Sequence, residues 1–299
     1  MTDLASPPSR RARCFARIHD YARLMRLDKP IGILLLLWPT LWGVWLAADG
    51  RPAWTIVLIF VSGTVLMRSA GCVINDYADR DFDPEVARTK QRPLAARRVS
   101  VREALTLFVV LVLLAFLVML PILTWPLLAM AIAALFLAAS YPFTKRFFAV
   151  PQAYLGVAFG FGIPMAWLAQ TGAVAPAAWM LLVANIFWAI AYDTEYAMVD
   201  RADDLRIGIR SSAITFGRFD VAAVAACYAL ALALLVVVGQ MLASGWPYFL
   251  ALLLAGVIAV THVRRIAARE PGECFRVFLD NNRIGAIVFA GIVIDSLLS

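Results

Sequence analysis

Asn75-Asp-Tyr-Ala-Asp79-Arg-Asp-Phe-Asp83 and Asp200-Arg-Ala-Asp-Asp204 are two short acidic runs in an otherwise strongly apolar chain. Each contains an Asp-x-x-x-Asp pair, and each stands where a long apolar segment reaches water. Side chains four residues apart share one helix face. Two such pairs facing one another offer hard oxygen ligands, which Mg²⁺ takes together with substrate phosphates. The pattern points to an enzyme that handles a lipid diphosphate at a membrane surface.

The composition agrees with that setting. The chain is 63% hydrophobic and only 16% charged, against about 25% charged in ordinary soluble domains. Segments able to span a bilayer need roughly 20 mainly apolar residues. Candidates fall near 31–48, 54–75, 104–121, 124–141, 152–169, 177–197, 219–238, 247–262 and 284–298. The expected fold is therefore all-α, a polytopic bundle of nine transmembrane helices forming one domain over 1–299. Pro39 and Pro164 fall inside spans and are expected to kink them. Gly156-x-x-x-Gly160 predicts close helix packing in the fifth span.

Charge sets the orientation. Of the 27 lysines and arginines, all but Arg51 and Arg68 fall in the N-terminal segment or in alternate connections. Nine spans place these connections on one side. Basic loops stay cytoplasmic, so the N-terminus and both acidic runs are expected inside. The basic excess, a net charge of +7, reads as topology and attraction to the lipid bilayer, with no nucleic acid and no protein partner implied. The N-terminus lacks the apolar run of a secretory signal. A bacterial inner membrane is expected, with a mitochondrial one as the alternative. Cys14, Cys72, Cys227 and Cys274 have no metal-ligand spacing. His19 and His262 stand alone and read as solvated or interfacial.

The two acidic pairs also suggest duplication. Asp79 and Asp83 precede Asp200 and Asp204 by one interval, which matches a repeat of four spans. The resulting plan is a basic segment over 1–30, repeats over 31–150 and 151–265, and a ninth helix with its lead-in over 266–299. Parallel repeats would place both pairs around one cavity.

Further candidates surround the pairs. Arg68, Asn75, Asp79 and Asp83 form a stripe at spacings of 7, 4 and 4, and Pro84 predicts that the helix ends by Asp83. A charge deep in a span costs about 2.5–3.5 kcal/mol, so Arg68 should face the bundle interior, meeting either a ligand or an Asp of the cluster. Asp193 and Glu195 lie deeper than the second pair, flanked by Tyr192 and Tyr196. Buried carboxylates without partners are expensive, which makes Asp193 a candidate for substrate contact or proton acceptance. Arg88, Arg92, Lys145 and Arg146 present cations on the acidic side, suited to a diphosphate leaving group.

These residues resemble those of a known family. The segments are Leu24-Met-Arg-Leu-Asp-Lys-Pro-Ile-Gly32, Leu37-Trp-Pro-Thr-Leu-Trp42, Arg68 to Arg80, Arg88 to Leu94, Tyr141 to Arg146, and Tyr192-Asp-Thr-Glu-Tyr-Ala-Met-Val-Asp-Arg201. Together they resemble the UbiA-type intramembrane prenyltransferases, most closely the 4-hydroxybenzoate polyprenyltransferases of ubiquinone synthesis. The resemblance implies a nine-helix bundle with a central cavity open sideways to lipid. It implies Asn75, Asp79, Asp83, Asp200 and Asp204 as ligands for Mg²⁺ and diphosphate, and a Tyr-x-x-x-Lys motif at Tyr141 and Lys145. It also places Arg146 at the aromatic carboxylate and makes polyprenyl diphosphate and 4-hydroxybenzoate the substrates. A sister prenyltransferase with another acceptor (naphthoate, homogentisate or haem) shares this metal chemistry. A transporter would also use intramembrane charges and repeats. A CDP-alcohol phosphotransferase would carry its acidic residues in one continuous motif, whereas this chain has two separated ones.

Overall fold

The computed structural model describes residues 10–85 and 89–299. The described residues form twelve α-helices and no strand: α1 (Arg10–Leu24), α2 (Ile31–Leu46), α3 (Trp54–Ala78), α4 (Val101–Met119), α5 (Trp125–Thr144), α6 (Pro151–Gly160), α7 (Gly162–Thr171), α8 (Pro176–Ile207), α9 (Ser212–Phe216), α10 (Asp220–Met241), α11 (Trp246–Ile266) and α12 (Pro271–Leu298). Among them, eight helical segments are long and apolar enough to cross a membrane, with α6 and α7 counting as one. α2 is apolar but shorter, at 16 residues.

Local chemistry sets the ends. Ser100 caps α4 in a reciprocal box with Glu103, satisfying two otherwise orphaned backbone N–H groups. Glu103 also accepts from Tyr21 at 2.9 Å and pairs with Arg17 at 3.0 Å, which docks α1 against α4. Pro164 has no N–H to give the Gly160 carbonyl, and the fifth span breaks into α6 and α7 at that point. Pro39, by contrast, stays within an unbroken α2. α8 runs 32 residues and stops at Gly208, which takes the left-handed backbone (φ 72°) of a helix C-terminus.

The glycine stripe does what its spacing predicts. A Cβ on Gly156 would come within 2.8 Å of the Ile186 Cα, and one on Gly160 within 2.5 Å of Asn185 Nδ2. α6 therefore lies against α8 at a distance only glycine allows, and Asn185 Nδ2 donates to the Gly156 carbonyl at 3.0 Å.

A buried polar cluster ties α8 to α10, α11 and α12. The Glu195 carboxylate is fully buried, 2.8 Å from the Tyr228 hydroxyl and 2.7 Å from Asn281 Nδ2. Tyr228 also lies 3.1 Å from His262 Nδ1, and His262 Nε2 is 3.2 Å from Asp280. Trp188 donates to Asn281 at 3.0 Å. Each Glu195 oxygen thus has a donor, as a buried carboxylate requires. The expectation of an interfacial His262 is overturned: the ring is buried, because the cluster supplies both its nitrogens with partners. Cys72, Cys227 and Cys274 are buried and unbridged.

Two boundaries depart from the sequence expectation. α3 ends at Ala78, with Asp79 as its cap residue, and Asp83 falls in a separate 3₁₀ turn, so the first acidic pair is not on one continuous helix. The last helix starts at Pro271, well before residue 284, because Glu270 caps its first turn through Gly272 and Glu273 N–H.

Candidate active site

The connections that carry the acidic runs and the neighbouring helix ends line a cavity of about 1220 Å³. From α3 and the turn after it come Arg68, Asn75, Asp79 and Asp83. From α8 come Asp193, Tyr196, Asp200 and Asp204. Arg92, Tyr141 and Lys145 complete the polar wall. The two acidic motifs, far apart in sequence, thus line a single space.

Charges bridge its two sides. Lys145 Nζ is 3.1 Å from Asp79 Oδ2, and its field also reaches Asp193 on α8. Burial alone would lower the Lys145 pKa, but Asp79 outweighs it and holds the ammonium above its ordinary range. Asn75 Nδ2 reaches the same Asp79 oxygen at 3.1 Å. Arg92 Nη1 lies 2.8 Å from Asp83 Oδ2 and 3.1 Å from Asp76 Oδ1. Burial pushes the Asp83 carboxyl up to about 6, against the opposing pull of Arg92. Across the turn, Arg206 of α8 donates to the Glu85 carbonyl at 2.8 Å and joins the ends of the two motifs.

Arg68 is placed as its depth predicts, but without a carboxylate. Its Nη1 donates to Cys72 Sγ at 2.9 Å, its guanidinium sits 5.6 Å from the Phe159 ring centroid, and its buried Nε has no partner. Of the two readings of Arg68, the ion pair within the acidic cluster is absent among the described residues. The Tyr192 hydroxyl also lines the cavity, buried and unpartnered. Lys145, Gln152, Arg68 and Asp200 are the electrostatic neighbours of Asp193.

Arg146 is not brought in. It is exposed, donates to the Ala78 carbonyl at 3.2 Å, and packs over Phe82 and Phe143. Arg88 lies outside the described residues. Asp76 and Arg26 join the site although the sequence pattern does not single them out. Asp76 is buried, lines the cavity, and takes Arg26 Nη2 at 2.7 Å on Oδ1, while its Oδ2 has no partner. Its position inside the first acidic run was the available signal, but it falls between the residues of the four-residue spacing.

The rest of the cavity is apolar. Phe60, Met67, Val112, Phe116, Ile132 and Leu135 line it on α3, α4 and α5. α4 and α5 are the least buried spans, so their outer faces are free to meet lipid. Such a surface suits a long apolar chain.

A model of the UbiA prenyltransferase family matches residues 36–287. The chain belongs to the UbiA prenyltransferase family. Among curated proteins of this UbiA family, the 4-hydroxybenzoate octaprenyltransferase of Thiobacillus denitrificans is 65% identical over 94% of this chain and 96% of its own length. The protein of the same name from Dechloromonas aromatica is 61% identical over 95% and 96%. Among solved UbiA structures, the apo homologue from Aeropyrum pernix K1 superposes with a TM-score of 0.78 at 25% identity, covering 88% of this chain and 97% of that one. A homologue from Archaeoglobus fulgidus, bound to GPP and Mg²⁺, gives a TM-score of 0.71 at 20% identity over 92% and 99%; that likeness concerns the fold.

The donor set of this UbiA member suits Mg²⁺. Among the described residues, no three acidic, histidine or cysteine side chains converge closely enough to cage an ion alone. Mg²⁺ does not need such a cage, since it is usually held by one or two carboxylates with water and substrate phosphates. Carboxylates on both sides of one cavity, with an unpartnered Asp76 oxygen beside them, meet that requirement.

Proposed function

We propose that this chain transfers a polyprenyl group from polyprenyl diphosphate to carbon 3 of 4-hydroxybenzoate, releasing diphosphate, in ubiquinone biosynthesis. The carrying observation is that both acidic motifs line one cavity whose remaining walls are cationic on one part and apolar on another. The names of the curated relatives support the choice of acceptor.

The residues divide the work. Asn75, Asp79, Asp83, Asp200 and Asp204 would hold Mg²⁺ with the diphosphate, and the ion would neutralise the leaving group. Lys145, Arg92 and Arg26 add positive charge where the leaving group gains negative charge. The tail lies along the α3–α5 wall. When the allylic C–O bond breaks, diphosphate departs and an allylic cation remains. Aromatic faces at Tyr192, Tyr196, Phe275 and Phe278 line the cavity and favour cations. Apolar walls keep water from the cation. The ring carbon ortho to the phenol supplies the electron pair for the new C–C bond, and the displaced ring proton passes to Asp193 or to the diphosphate.

Arg68 is the cation best suited to the acceptor carboxylate. Its deep, unpartnered Nε seeks an acceptor, whereas Arg146 is already occupied at Ala78.

The bundle reads as nine spans in the bacterial inner membrane, with the cavity mouth and N-terminus cytoplasmic. In that count the first motif follows the second span, α3, and the second motif ends the sixth, α8, in keeping with two four-span repeats.

The test uses membranes carrying Asp79→Ala or Asp200→Ala, supplied with 4-hydroxybenzoate, a polyprenyl diphosphate and Mg²⁺. Both variants should lose the prenylated product, read by mass. Full activity in either would end the carboxylate reading.

A further inference from the structure

Behind the second acidic pair lies a charged hub that the proposed chemistry does not use. Asp220, the first residue of α10, is fully buried. Its Oδ2 is 3.2 Å from Arg201 Nη1. Arg269 grips the same carboxylate, with Nη2 2.7 Å from Oδ1 and Nε 2.9 and 3.1 Å from the two oxygens. The Val221 N–H donates to Oδ1 at 2.7 Å. Arg269 stands in the link between α11 and α12, with a left-handed backbone (φ 55°), and its Nη2 also reaches the Arg218 carbonyl at 2.9 Å. The hub therefore fixes the water-facing end of α8 to α10 and to the α11–α12 link.

Arg201 is the member that matters to the cavity. It follows Asp200 directly and precedes Asp204 by three residues, yet of these three side chains the two aspartates line the cavity and Arg201 does not. Helix residues three apart are within reach of one another. A guanidinium pairs strongly with a carboxylate, often through two parallel hydrogen bonds. An Arg201 released from Asp220 would compete for the oxygens of Asp204.

We infer that Asp220 is a positioning residue that holds Arg201 away from Asp200 and Asp204, keeping a cation of the second motif off the divalent-ion ligands. The inference rests on the reading that these two aspartates ligate the ion.

The experiment titrates the full chain, in detergent micelles, with Mn²⁺ alone and follows free Mn²⁺ by electron paramagnetic resonance. Asp220→Asn should weaken Mn²⁺ binding about threefold or more, and adding Arg201→Gln should bring it back to within about twofold of wild type. A merely structural hub predicts lower thermal stability with Mn²⁺ affinity unmoved, or a double variant no better than the single; either result overturns the inference. If Asp220→Asn does not fold, Asp220→Glu takes its place, since the longer side chain keeps the charge but shifts where it holds Arg201. A Mn²⁺ affinity that is weakened and then restored by adding Arg201→Gln supports the inference, and an unmoved affinity overturns it. Asp200→Asn separates the two levels. If it binds Mn²⁺ as well as wild type does, the metal reading fails and the inference with it. If only Asp220→Asn matches wild type, the metal reading stands and the inference falls.

Discussion

Replacing Arg68 by Met should make the protein more stable and a worse catalyst at once. Arg68 sits deep in α3, and its buried Nε has no partner. Its remaining contacts are a sulfur acceptor at 2.9 Å and a ring centroid at 5.6 Å. An unsatisfied buried donor costs about 1–3 kcal/mol, more when charged. Met keeps most of the side-chain length without the charge, so the apo protein should gain about 1–3 kcal/mol, seen as a rise in Tm in detergent. Catalysis should move the other way. Removing one partner of a buried charge pair costs about 2 kcal/mol or more, roughly thirtyfold in the KM for 4-hydroxybenzoate. Phenol, which lacks the carboxylate, should be prenylated equally by both forms. A lower Tm with an unchanged KM for 4-hydroxybenzoate, or equal losses on both acceptors, would refute the assignment of Arg68 to the carboxylate.

Lys145→Gln leaves Asp79 without its bridging cation and should lower kcat by about 10²-fold, measured as diphosphate release at saturating prenyl diphosphate. The Asp83 carboxyl, raised to about 6 from an ordinary 3.8, takes up its proton earlier in the folded chain than in the unfolded one. Its contribution to stability is therefore fully present below about pH 4 and is lost as the pH rises through about 6. The Tm of the metal-free protein should fall less between pH 4 and 7 in Asp83→Asn than in wild type. Gly156→Ala would set a Cβ against the Ile186 backbone at 2.8 Å, pushing α6 from α8 at a cost of about 1–3 kcal/mol, read by thermal unfolding.

The membrane character, most span positions and both acidic motifs are legible in the sequence, because apolar length and interrupting carboxylates are local signals. The Gly156 and Gly160 packing was legible for the same reason. Other features depend on contacts between distant segments. Asp76 stands three residues before Asp79, off the four-residue spacing that marks the pairs, and is recognisable only once Arg26 and Arg92 close on it. Arg26 belongs to a run whose charge already had an explanation in topology. The first turns of α12 were hidden because Glu273, Arg276, Asp280 and Arg283 make them read as a loop, although those residues face Arg265, His262 and each other. His262 looked solitary for want of any sequence link to Tyr228 and Asp280. Arg146 had the right charge in the right motif, and only the direction of its side chain separates it from the cavity.

The buried Glu195 cluster has a mechanical consequence. It bolts α8 to three neighbouring helices through directional bonds, while α4 and α5 present mostly greasy outer faces to their surroundings. On the proposed reading the reacting wall is a fixed anvil and the tail wall is a yielding one. A change in acyl-chain length around the protein would then deform the side proposed to hold the isoprenoid before it moved the aspartates of α8.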